Sequence, residues 1–179
     1  MNFRFSRDHW KYNNPLSQEQ ICELKDLCSK TLLAITAVGT VGKTYFDSRP
    51  FDFALRGTQR LNLKESRDLV STCLQHTLEY IKNSQQHKEL IKKWSSERRN
   101  YRPGLDPASD QIAFRINFWD ENIDRPVAPY IAEIRLLDDK LSYFTADENQ
   151  CLVLVFEETV KDNLQRISQD DSLSQGGRQ

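Results

Sequence analysis

Early in the chain, apolar residues recur three and four positions apart. Ile21, Leu24, Cys28, Leu32 and Ile35 fall on one helical face. Ser17 stands where an N-cap belongs, and Gln20, three residues on, completes a capping box. This helix is expected to run to about Val38, where Gly39 and Gly42 break the pattern. Phe51, Phe53 and Leu55 then alternate, which predicts a strand over 51–56 between turns at Pro50 and Gly57. A second helix starts at about Asn62, with Glu65 as its reciprocal cap. Leu69, Val70, Cys73, Leu74, Leu78 and Ile81 form its stripe. A short third helix is expected in "QQHKELIKKW", after Ser84.

The period changes in the second half. "SSERRNYRPGLDPASD" has the composition of a loop. Beyond it Ile112, Phe114, Ile116 and Phe118 alternate with Ala113, Arg115 and Asn117, the mark of a strand with one buried and one wet face. "YIAEIRLL", "LSYFTA" and "CLVLVFEE" predict three more strands, joined by "DDK" and "DENQ", and "ETVKDNLQRI" a closing helix. Connections this short suit antiparallel neighbours. The expected fold is α+β, with N-terminal helices packed on a C-terminal antiparallel β-meander of about four strands. Residues 1–15 read as an N-terminal extension, 16–167 as a single α+β domain and 168–179 as a disordered tail.

Composition narrows the function classes. With 179 residues, 38% apolar and 28% charged, the chain suits one ordinary domain with a wet surface. A net charge of −1 supplies no global field toward nucleic acid or membrane. The longest apolar-leaning stretch, "LLAITAVGTV", falls far short of a membrane span of roughly 20 residues, so no transmembrane segment is expected. Cys22, Cys28, Cys73 and Cys151 form no C-x-x-C pair or zinc-spaced cluster. They read as reduced thiols, mostly small core hydrophobes. The chain as given therefore reads as cytoplasmic, and as envelope-associated if a leader has been removed.

Several motifs invite chemistry. "AVGTVGKT", Ala37–Thr44, fits the loose form of a phosphate-binding loop, with Lys43 and Thr44 in place. Such a loop needs a strand before it and a helix after it, so that backbone N–H groups face the anion. Here a helix is expected before it, and Pro50 follows six residues after Thr44. A flexible glycine linker is the preferred reading, and a nucleotide hydrolase using loop 37–44 the alternative. His9, His76 and His87 have no partner at metal spacing. Asp138 and Asp139 suit a hairpin turn. Glu157 and Glu158 suit a helix start, where acids complement the dipole. Glu133 is placed on the wet face of its strand. No catalytic residue, cofactor or metal site is assigned.

The strongest charge feature runs from Lys82 to Gly104. Seven basic and two acidic residues there give a local net of +5, leaving −6 for the rest. Lys92, Lys93, Trp94, Arg98, Arg99, Tyr101 and Arg102 form the candidate binding surface. Basic groups hold phosphates and aromatic faces stack on bases, so segment 88–102 is an alternative nucleic-acid site.

Three stretches, "YNNPLSQEQI", "RLNLKESRDLV" and "KLSYFTADENQCLVLVFEETVKDNL", resemble a group of small uncharacterised bacterial proteins. Members often carry a lipoprotein-type leader, then two helices and a strand-rich half. This sequence lacks that leader and its lipid-accepting cysteine. The resemblance implies no known activity, so no functional residue carries over. The expected function is a non-enzymatic macromolecule-binding module whose partner is protein, with the oligomeric state left open.

Overall fold

A computed structural model describes residues 18–38, 51–86, 88–89, 92 and 112–166. The N-terminal extension, the cap at Ser17, most of the loop 37–44, the loop before Ile112 and the C-terminal tail lie outside the described residues.

The chain runs α1 (Gln18–Thr31), β1 (Ala34–Val38), β2 (Phe51–Gly57), α2 (Leu63–Asn83), β3 (Ile112–Phe118), β4 (Glu133–Leu137), β5 (Lys140–Ala146) and β6 (Leu152–Thr159). Residues 85–86, 88–89 and 92 are helical, where the third helix is expected, and 160–166 form a closing helix. The class is α+β. The expected four-stranded meander is present as β3–β6, but it is part of a six-stranded sheet in the order β1-β2-β3-β4-β5-β6. All neighbours pair antiparallel except β2 and β3, which are parallel. The long connection through α2 permits that pairing, since parallel strands need a crossover of a dozen or more residues.

The first helix is shorter than expected. It stops at Thr31, because Leu32 takes a left-handed backbone (φ 57°) that ends helical hydrogen bonding. Gln59 Nε2 then donates to the freed Thr31 carbonyl at 3.0 Å. The residues that were expected to extend the helix become β1. Thr36 Oγ1 donates to the Ala54 carbonyl of β2 at 3.2 Å. Gly57 ends β2 where space is short: a Cβ there would meet Gln59, and would lie 2.8 Å from Phe118 and 2.9 Å from Leu33.

Asn62 and Glu65 cap α2 reciprocally, as the sequence predicts. The core joins both helices to one sheet face. Leu24 and Leu27 of α1 and Val70, Cys73, Leu74 and Ile81 of α2 pack with Phe53, Leu55, Phe114, Ile116, Ile134, Leu136, Leu141 and Tyr143. Fully burying each large apolar side chain stabilises the fold by about 1.5–3 kcal/mol. Between β4 and β5, Asp138 and Asp139 both take positive φ (51° and 66°). That is the backbone a two-residue hairpin requires, and Asp tolerates it.

Candidate functional site

Three polar or exposed features stand out among the described residues. The first joins α1 and α2. Glu23 and Asp26 stand three apart on α1, so both meet the same neighbour. That neighbour is His76 of α2, whose Nε2 lies 3.2 Å from Glu23 Oε2 and 3.6 Å from Asp26 Oδ2. Lys30 Nζ lies 2.8 Å from Asp26 Oδ2 and 3.4 Å from His76 Nδ1. The Lys30 hydrogen bond holds the Asp26 carboxyl below its usual range, and Asp26 in turn raises Lys30. Glu23, Asp26 and His76 offer one ligand atom each, all within 4.8 Å of one another. Sequence spacing gave no metal set. The structure builds this group because helix packing closes a gap of about 50 positions.

The second feature is a buried polar cluster linking α2, β5, β6 and the closing helix. Arg67 Nε lies 3.0 and 3.2 Å from the two Glu158 oxygens, and its Nη2 donates to Glu158 Oε2 at 2.5 Å. Tyr143 Oη donates to Glu158 Oε1 at 2.8 Å, Asn163 Nδ2 donates to the same oxygen at 2.9 Å, and Ser71 Oγ donates to Asn163 Oδ1 at 2.6 Å. Burial alone would raise the Glu158 carboxyl. The donors Arg67, Asn163 and Tyr143 outweigh it and hold the group below its ordinary value. Burial, and then the bond to Glu158, push the Tyr143 phenol up. Glu158 is therefore not a solvated acid at a helix start, as its sequence position suggests. Glu157, its neighbour, is exposed and bonds Ser142 at 2.9 Å. Every named member of this cluster has a partner, so it acts as a clasp in the fold.

Glu133 also departs from expectation. It points away from the core yet is only 2% exposed. Arg135 and Arg115 both approach its Oε1, the latter at 3.5 Å, and the Arg135 guanidinium lies 4.5 Å over the Phe144 ring. Register explains this: Arg115 faces Arg135, and Asn117 faces Glu133. Long cationic side chains from two strands cover the acid.

The third feature is the edge strand β6. Val153, Leu154 and Val155 are 45, 47 and 48% exposed. A bulge opposite Tyr143/Phe144 leaves Val155 without a register partner. Among the described residues, β6 has a strand neighbour on one side only.

The basic–aromatic surface is not brought together in what is described. Lys92 is exposed, and Lys93, Trp94, Arg98, Arg99, Tyr101 and Arg102 lie outside the described residues. Around the phosphate-loop motif one expectation is corrected: the element before it is strand β1, not a helix. The next described residues belong to β2, antiparallel to β1, and residues 39–50 lie outside the described set. The thiol reading needs correction too, since Cys73 is buried but Cys22 and Cys151 are exposed. Among the described residues no helix is long and apolar enough to cross a membrane. Compared with family models, curated proteins and solved structures, the chain matches none.

Proposed function

We propose that this chain is a non-enzymatic protein-interaction module that accepts a partner strand along the outer edge of β6. One observation carries the reading: three successive apolar residues, Val153–Val155, are each nearly half exposed on the strand that ends the sheet among the described residues. An edge strand presents a row of backbone donors and acceptors, and an incoming extended segment satisfies them. Proteins ordinarily blunt such edges with lysine, proline or a bulge. Leu152–Thr159, "LVLVFEET", contains no lysine or proline, and its one irregularity is the bulge at Val155. The opposite edge, β1, is only five residues long.

The test is selection of a displayed random-peptide library on the purified protein. Extended peptides with alternating apolar residues are expected to be enriched. Their affinity should fall about tenfold with Leu154→Lys, a loss of about 1.4 kcal/mol. Because that side chain is half exposed, the thermal midpoint should stay near the parent value. Selected peptides that bind Leu154→Lys as well as the parent, or no enrichment at all, would overturn the reading.

A further inference from the structure

Glu23, Asp26 and His76 have a chemistry that strand addition does not use. An imidazole nitrogen and two carboxylates converge from two helices, and the imidazole is held in place: its side chain is only 14% exposed. In a tetrahedral shell with zinc bonds of about 2.0–2.2 Å, ligand atoms sit roughly 3.3–3.6 Å apart. The two distances from His76 Nε2, 3.2 and 3.6 Å, already match that spacing. Two carboxylates and a neutral imidazole also carry the charge that a divalent ion balances.

We infer that Glu23, Asp26 and His76 form a surface site for a zinc-class divalent transition ion, bridging α1 and α2 with at least one position open to water. Imidazole nitrogen with carboxylate oxygen suits zinc, cobalt or nickel rather than magnesium or calcium, which prefer all-oxygen shells. Lys30 sets how the site loads. Lys30 Nζ lies 3.4 Å from His76 Nδ1 and 2.8 Å from Asp26 Oδ2, so an ion seated on Asp26 and the imidazole competes with it. His76 Nε2 also lies 3.3 Å from the Glu23 backbone oxygen, a contact that an ion on Nε2 replaces. Lys30 is half exposed and can swing into water. It is a resident cation that an incoming ion displaces, while Glu79, within electrostatic reach of Lys30, keeps the surroundings acidic.

The experiment uses tag-free full chain titrated with Co²⁺, read by its visible absorption, and with Zn²⁺, read by calorimetry. One ion per chain is expected. His76→Gln removes a ligand outright and should weaken binding by about 100-fold or more, beyond what losing an outer-shell partner of a ligand costs. Lys30→Met should tighten it about tenfold, the effect of removing one positive charge roughly 6 Å from a dication in water. If His76→Gln fails to fold, Asp26→Asn, at an exposed carboxylate, reads the same loss. Absence of saturable binding in the parent overturns the proposal. So does unchanged affinity in His76→Gln or Asp26→Asn, which would assign the ion to His9, His87 or the exposed thiols of Cys22 and Cys151.

Discussion

Glu158 shows how far a single carboxylate can be drawn into a fold. Taking an ionised acid out of water costs several kcal/mol unless its lone pairs are met. Here Arg67, Tyr143 and Asn163 meet them, and each comes from a different segment. Removing the charge leaves Arg67 partly buried without its partner. Glu158→Gln is therefore expected to destabilise the protein by about 3 kcal/mol at neutral pH. The pH dependence follows from the depressed folded pKa. The stabilisation from Glu158 is complete above the ordinary value of 4.5 and is lost as pH falls through the lower folded value. Urea unfolding of both proteins from pH 7 downward should show the gap between them narrowing only below about pH 4.5. A gap that stays constant across that range would mean the charge is not what the clasp uses.

Among the elements, α2 owes its start to two residues. Glu65 N donates to Asn62 Oδ1 at 3.0 Å, and Asn62 N donates to Glu65 Oε2 at 2.8 Å. Asn62→Ala should cost about 1 kcal/mol, and Asn62→Ser should restore most of it. Thermal unfolding of the two variants checks this, and equal midpoints for Asn62→Ala and the parent would refute the cap. This helix was legible because its signals are local: a cap, a partner three residues on and an apolar stripe. The strands β3–β6 were legible for the same reason, through alternation and short turns. β1 was not. Leu32 continues the helical spacing of α1, and only the backbone reversal at that residue, with Gln59 answering the freed carbonyl, turns the chain into a strand. The β-branched Ile35 and Thr36 were the one local hint. The surroundings of Glu133 depend on cross-strand register, and the His76 group depends on how two helices pack. Neither can be read from spacing along the chain. Glu23 and Asp26 carried no reading from the sequence, and their spacing of three on one helix is the only local part of that group.

At the scale of the whole molecule, one continuous core joins both helices to the sheet, and Cys73 lies inside it with no exposed surface. Burial, helped by the nearby Cys28, pushes its thiol up to about 12. The thiolate that reacts with reagents is thus suppressed as well as shielded. Reaching Cys73 requires α2 to part from the sheet, which dismantles the core. Cys22 and Cys151 are exposed on α1 and before β6. A thiol reagent at neutral pH should therefore label those two at once and Cys73 only through global unfolding. Peptide mapping by mass spectrometry assigns the sites. The Cys73 labelling rate should rise with urea along the slope that describes equilibrium unfolding of the whole chain. Labelling of Cys73 on the timescale of Cys151 without denaturant would show that α2 opens on its own. The fold would then be two loosely joined layers, and the β6 edge would rest on a sheet whose helical cover comes and goes.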